Sequence, residues 1–225
     1  MKKESVKIKP SLYNNISMKY VIYDFNGTIL DDVEVCVKAE NLTISHFGLN
    51  RKPLTMEEYL HIFTFPVKDY YENVGFDWNV FSYEEVGRYW FDWYCRLKEE
   101  YKIYDGVIDV LDRSHELGNR NILLSASSLE ELKKQLDELN IASYFDEVLG
   151  IDNIYAGSKI DIALEWIRDK NPEDCLMIGD TLHDLQTAKA MGVECVLVAK
   201  GHQAKDVLEK EYDRIIDDIR EVNFI

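Results

Sequence analysis

The chain has no apolar run near the roughly 18 residues that cross a bilayer, which excludes a helical membrane protein. Basic residues are scarce, 26 Lys and Arg against 42 Asp and Glu, for a formal net charge of −16. A surface this acidic repels phosphate backbones and anionic lipid, so neither nucleic acid nor a membrane is expected as a partner. An anionic ligand would need a local cation or metal to reverse the field. Cysteines are few and spread out. Cys36, Cys95, Cys175 and Cys195 form no C-x-x-C, and three lie within apolar stretches. They read as small buried hydrophobes in a reducing compartment. No apolar segment follows Lys2 and Lys3, so no secretory signal is read and a cytoplasmic location is expected. No G-x-G-x-x-G follows a strand pattern, and no G-x-x-x-x-G-K with a following Ser or Thr occurs, which removes dinucleotide and P-loop readings. The histidines, His46, His61, His115, His183 and His202, show no zinc spacing.

What is present is the balance of an ordinary globule. The 225 residues, 46% hydrophobic and 30% charged, fit one medium domain or a core with a smaller insertion. Residues 1–17 are polar and basic and read as an extension before the core. Short apolar runs at 19–25, 120–125, 174–179, 194–199 and 213–217 read as buried strands. Between them, 128–139 places Leu129, Leu132, Leu136 and Leu139 on one helical face, with Ser127 and Glu130 as a capping box. Residues 159–168 do the same with Ile160, Ala163, Leu164 and Ile167, behind Ser158 and Asp161. Strands alternating with helices imply an α/β fold, a Rossmann-like doubly wound parallel sheet.

Residues 31–104 interrupt that alternation. The stretch 47–104 holds 17 of the 27 aromatic residues, shows no clear strand and contains a long helical pattern over 82–101. It reads as an all-helical module inserted after the first strand, with 18–30 and 105–225 forming the core. Its aromatic residues are expected to close the module's own small core.

The chemistry sits where the strands end. In doubly wound sheets ligands bind outside the carboxyl ends of the strands. The first strand runs into Asp24-Phe25-Asn26-Gly27-Thr28, the second into Ser125-Ala126, and the strand at 174–179 into Gly179-Asp180-Thr181, with Asp184 four residues past Asp180. Lys159 opens the intervening helix. Carboxylates clustered on one rim repel unless a hard cation sits among them, and Mg2+ takes one or two carboxylates together with phosphate oxygens. Asp24 and Asp180 are the natural ligands, with Asp184 as support. Gly27 permits a sharp turn that brings amides close to an anion. Ser125 can donate to a phosphoryl oxygen, and Lys159 supplies a compact positive charge. A carboxylate beside such a metal can attack phosphorus and form an aspartyl-phosphate.

Asp24-Phe25-Asn26-Gly27-Thr28, Ser125, Lys159 and Gly179-Asp180-Thr181-Leu182-His183-Asp184 resemble the four motifs of the haloacid dehalogenase superfamily, over about residues 20–205. The insertion looks like the helical cap of its phosphoglycolate phosphatase-like branch. The resemblance implies a Mg2+-dependent hydrolase of small phosphorylated metabolites, monomeric or homodimeric. It places the nucleophile on Asp24 and the remaining catalytic roles on Asn26, Ser125 and Lys159. Phosphate binding falls on Gly27, Thr28, Ser125, Ala126 and Lys159, and the metal on Asp24, the Asn26 backbone carbonyl, Asp180 and Asp184. One position departs from the phosphatase pattern. The residue two after the nucleophile is normally an aspartate that protonates the leaving group; here it is Asn26, which cannot shuttle a proton. Three alternatives follow from that change. His183, beside the proposed metal site, replaces the acid; the chain is a phosphonatase, dehalogenase or phosphotransferase; or it is a catalytically weakened binding protein. A phosphonatase would need a Schiff-base lysine from the insertion, with Lys38, Lys52 and Lys68 as candidates.

Overall fold

Tyr20–Tyr23 forms β1 in the computed structural model, which describes residues 19–151 and 158–224. Val21 and Tyr23 pack into one hydrophobic cluster and Ile22 into another. Both faces of the strand are therefore covered, which is why its sequence is continuously apolar rather than alternating. The extension expected at 1–17 lies outside the described residues.

The chain then makes β2 (Leu30–Asp31) and a helical stretch: α1 (Val33–His46), α2 (Met56–Ile62), α3 (Val67–Val74) and α4 (Tyr83–Arg96). It returns through β3 (Lys102–Ile103), which pairs antiparallel with β2, Leu30 opposite Ile103 and Asp31 opposite Lys102. This two-rung ladder ties both ends of the helical stretch at one neck. The helix expected over 82–101 is shorter: Ser82 caps α4 by accepting from the Glu85 amide, and Lys98–Glu100 is a separate 3-10 turn. Helices α1–α4 share their own core, in which Val35, Ile44, Tyr59, Tyr71, Phe76 and Val86 are buried.

The rest of the chain is α5 (Val107–Glu116), β4 (Arg120–Ser128), α6 (Leu129–Glu138), β5 (Glu147–Ile151), α7 (Lys159–Ile167), β6 (Cys175–Gly179), α8 (Leu182–Met191), β7 (Glu194–Val198), α9 (Lys205–Leu208) and β8 (Ile215–Ile216). The main sheet runs β5-β4-β1-β6-β7-β8, every described pairing parallel. Helices α5 and α6 cover one face and α7, α8 and α9 the other. The α/β parallel-sheet fold read from the sequence is the one observed. After β1 the chain goes to β4 on one side and later crosses to β6 on the other, so the order reverses beside β1. That crevice is where such sheets bind ligands. No helix among the described residues is long and apolar enough to cross a membrane.

Three local readings are corrected. β4 continues to Ser128, so Ser128 rather than Ser127 caps α6, accepting from the Glu131 amide at 3.2 Å. Leu164 is 42% exposed, and Trp166 takes the buried place expected for it on α7. β5 was absent from the expected strands; its Glu147, Val148 and Leu149 are only half-buried at the sheet edge, which blunts the apolar run.

Candidate active site

Asp24 leaves β1 into a turn in which the Phe25 carbonyl accepts from the amides of Thr28, Ile29 and Leu30. Gly27 sits in this turn at φ +76°, and a Cβ there would lie 2.3 Å from Asp180 Oδ2 and 2.6 Å from His202. Only glycine lets the turn approach that carboxylate. Across the crevice Asp180 follows β6. It accepts from the Thr28 hydroxyl at 2.8 Å and from the His202 amide at 2.7 Å. Gly201 presses on the same oxygen, where a Cβ would lie 2.0 Å away.

Helix α8 begins with a capping box that also builds the site. Thr181 accepts from the Asp184 amide, and Asp184 Oδ2 accepts from the Asp180 amide (3.1 Å), the Thr181 amide (3.0 Å) and the Thr181 hydroxyl (2.7 Å). Its other oxygen accepts from Lys159 at 2.6 Å. Ser158 caps α7 and thereby sets Lys159 at the helix start, where its ammonium bridges Asp184 and Asp24. Asp24, Asp180 and Asp184 bring carboxylate oxygens within 4.8 Å of one another. Ser125 and Ala126, from β4, line the same cavity, and Ser125 Oγ accepts from the Ser127 amide at 3.1 Å. Asp24, Asn26, Ser125, Ala126, Lys159, Asp180 and Asp184 thus converge on one cavity. Gly27 and Thr28, expected at the phosphate, do not line it. The Gly27 amide is engaged by the Leu30 carbonyl and by Asp32, and the Thr28 hydroxyl by Asp180.

The electrostatics fit a hard cation. Burial pushes the Asp24 carboxyl well above its ordinary range, and Asp184 and Asp180 add to this against the pull of Lys159. Burial and Asp184 raise Asp180 to about 6 in spite of His202. Asp184 stays below the usual range, because Lys159 and the Thr181 hydrogen bonds outweigh its burial. Three buried carboxylates against the Lys159 ammonium and the neighbouring His202 imidazolium still leave an excess of negative charge on hard oxygen donors. A small divalent cation would relieve it.

Sequence reasoning missed a second buried cluster beside the first. Asp32, fully buried, accepts from Asn26 Nδ2 at 2.7 Å and from the Tyr94 hydroxyl at 2.9 Å, and lies 3.3 Å from His202 Nε2. The other imidazole nitrogen, Nδ1, is 2.9 Å from the Tyr59 hydroxyl. Burial works against the imidazolium, yet Asp32, Asp180 and Asp24 overcome it and raise His202 to about 9. Burial would raise Asp32 too, but His202, Asn26 and Tyr94 outweigh it and hold the carboxyl low. The one signal for this pair was Gly201-His202 just after an apolar strand run at the same sheet end. His183, expected as a replacement acid, lines the cavity with its ring stacked on Phe65, centroids 4.4 Å apart. Burial holds its imidazole below the ordinary range, so it is neutral at pH 7. Lys38, Lys52 and Lys68 do not line the cavity, and Lys38 pairs with Glu100.

The cavity, about 570 Å³, lies between this rim and the helices α2–α4. The helical stretch is fastened over it. The Ala204 amide donates to the Leu60 carbonyl (3.0 Å), Gln203 to the Phe63 carbonyl (2.9 Å), and Lys98 pairs with Glu138 (2.9 Å). Cys95, the one exposed cysteine, is at the cavity wall; Cys36, Cys175 and Cys195 are buried.

Known proteins resemble this arrangement. The chain is 22% identical over 215 residues to phosphoglycolate phosphatase of Aliivibrio fischeri, covering 89% of this chain and 92% of that protein. It is 25% identical over 216 residues to tyrosine-protein kinase PtkA of Mycobacterium tuberculosis, covering 91% of this chain and 72% of that protein. Among solved structures, a haloacid dehalogenase-like family hydrolase of Streptococcus pneumoniae superposes with a TM-score of 0.74 at 19% identity, over 90% of this chain and 95% of that one. The sequence model of the haloacid dehalogenase-like hydrolases matches residues 21–198, so the chain belongs to that family and is a hydrolase.

Proposed function

We propose that the chain is a Mg2+-dependent phosphatase of small phosphorylated metabolites that works through an aspartyl-phosphate on Asp24. One observation carries the reading: the Lys159 ammonium is held between Asp24 and Asp184, with Asp180 beside them, at the carboxyl ends of β1 and β6. The names of the two relatives, a phosphatase and a kinase, both concern phosphoryl groups and support it. Asp24, Asp180 and the Asn26 carbonyl would hold Mg2+, with Asp184 fixing Lys159 and Thr181 around them. Bound there, the ion neutralises phosphoryl charge.

The residues divide the work. Lys159, Ser125 and the Ala126 amide bind the phosphoryl oxygens and turn phosphorus toward Asp24. An Asp24 oxygen bonds to phosphorus as the ester P–O bond breaks, and that electron pair leaves with the substrate oxygen. Water then attacks phosphorus, the bond to Asp24 breaks, and the carboxylate is restored. One proton of that water ends on the departed oxygen and the other stays on phosphate. Residues 31–104 act as a cap whose neck is the β2–β3 ladder, excluding bulk water from the cavity. Hydrolysis of a panel of phosphate monoesters, with Mg2+ and with a chelator, tests the reading. Mg2+-dependent release of phosphate is expected from the wild type and none from Asp24→Asn.

A further inference from the structure

The cavity walls are unusual for a site that binds a small anion. Trp90, Tyr94 and Tyr101 form a run of stacked rings, with centroids 5.2 Å and 5.8 Å apart and planes within 16° and 28°. Phe63 and Phe65 meet edge to face at 5.5 Å, and Phe65 stacks on His183. All of these line the cavity. Its cations are already matched. Among the described residues, the lysines that line it are Lys98, 2.9 Å from Glu138, Lys134, 4.0 Å from Glu131, and Lys159 on the catalytic carboxylates; no arginine does. Each of these lysines, and His202 as well, already faces a carboxylate, so a second anionic group on the substrate, such as a carboxylate or another phosphate, would have to compete for its cation.

The second observation lies at the reacting end. Asn26 Nδ2 donates both of its hydrogens, to Asp32 at 2.7 Å and to the Tyr94 hydroxyl at 3.0 Å. Both nitrogens of His202 face partners, Asp32 and Tyr59. The neighbourhood is built to hold its protons rather than to release one. A leaving group must then depart as an anion. A phenol, whose pKa near 10 is that of a tyrosine side chain, does this far better than an alkanol, whose pKa is close to the roughly 15.7 of water.

We infer that the substrate is a phosphate monoester of an uncharged aromatic alcohol, a phenol or hydroxylated heteroaromatic ring. Its ring enters between the aromatic walls and its single phosphate meets Asp24 and Lys159. The inference rests on the phosphatase reading for its chemistry, but not for its recognition. In the reaction the P–O bond to the ring breaks as Asp24 bonds to phosphorus, and the phenolate takes its proton from solvent after departure.

Two measurements on the full chain with Mg2+ separate the claims. The first compares kcat/KM for phenyl phosphate, cyclohexyl phosphate and phosphoglycolate, which keep ring size, change leaving group or add a charge. The second is calorimetric binding of phenylphosphonate, cyclohexylphosphonate and phosphonoacetate, none of which can be hydrolysed at Asp24. Phenyl phosphate is expected to lead by at least about a hundredfold, the lower end of what a general acid supplies to alkyl esters. Phenylphosphonate is expected to bind tightest, and Phe91→Ala, at a cavity residue 43% exposed, should weaken it by about five- to tenfold. Trp90→Leu should do the same, and thermal melting of each variant checks the fold. Phosphoglycolate or cyclohexyl phosphate turned over as fast as phenyl phosphate would overturn the inference and leave the phosphatase reading standing. Selective binding of phenylphosphonate with no ester hydrolysed would overturn the phosphatase reading and uphold the ligand class. Neither hydrolysis nor selective binding would overturn both.

Discussion

Asn26 donates its side-chain amide to the Asp32 carboxylate at 2.7 Å, inside a cluster that also holds Tyr94 and His202. The amide therefore serves a structural purpose at a position where the phosphatase pattern carries an acid. Replacing it reads out both roles. Asn26→Asp puts a second carboxyl against Asp32, and two acids so close share a proton, which raises the pKa of the pair. A carboxyl kept protonated near neutrality is a competent general acid. Turnover of alkyl monoesters should rise at least about tenfold, with little change for aryl esters. Equal gains for both would mean that the substitution acts on folding instead. Asn26-Gly27 is prone to deamidation, so peptide mapping must confirm an intact amide in the wild type.

His202 should tie the site to stability. Its folded pKa of about 9 exceeds its ordinary 6.5, so its contribution is complete below about pH 6.5 and is lost as pH rises through 9. His202→Ala leaves Asp32 buried without its cation, which should cost about 3–5 kcal/mol at pH 6. Urea denaturation at pH 6 and pH 9.5 should show that gap narrowing at the higher pH. A gap independent of pH would contradict the charged pair.

Glu40 gives the opposite kind of test. It is buried in the helical stretch with neither carboxylate oxygen hydrogen-bonded, and burial raises it to about 8 against the weaker pull of Tyr70 and Arg51. An acid whose folded pKa is raised costs nothing below its ordinary 4.5 and costs progressively more as pH climbs to about 8. Glu40→Gln should leave stability unchanged at pH 4.5 and raise it by about 2–4 kcal/mol at pH 8. A variant less stable than the wild type at pH 8 would show that the carboxylate has a partner.

Much of this was legible in the chain. Continuous apolar runs at 20–23 and 175–179 mark strands covered on both faces, with Asp24 and Asp180 just past their ends and Lys159 at the start of α7, whereas Ser125, read as a strand end, lies inside β4. What escaped were contacts made across long separations. Asp32 and His202 are 170 positions apart, and no periodicity links them. The Thr28 hydroxyl reads as a phosphate donor until Asp180 is seen 2.8 Å away. Aromatic residues in 47–104 signal a core, and Tyr71 and Phe76 are in it. That Phe65 and Trp90 also wall a cavity depends on where the helices are fastened.

Gly201 marks how tightly Asp180 is gripped. A methyl group there would lie 2.0 Å from Asp180 Oδ2, so Gly201→Ala must displace the carboxylate or the loop. The variant should lose about 1–3 kcal/mol of stability and bind Mg2+ more weakly in calorimetry. Lost stability with wild-type affinity for the metal would mean that the loop gives way and the carboxylate stays in place; Asp180→Ala with wild-type affinity would mean that Asp180 is not a ligand.

The central claim is that Asp24 becomes phosphorylated. Protein mixed with Mg2+ and phenyl phosphate, quenched in acid and mapped by mass spectrometry should carry one phosphoryl group on the peptide containing Asp24. Asp24→Asn should carry none and hydrolyse nothing, with its fold intact by circular dichroism. Turnover by Asp24→Asn above a few per cent of wild type, or a phosphoryl group on another residue, would contradict the account.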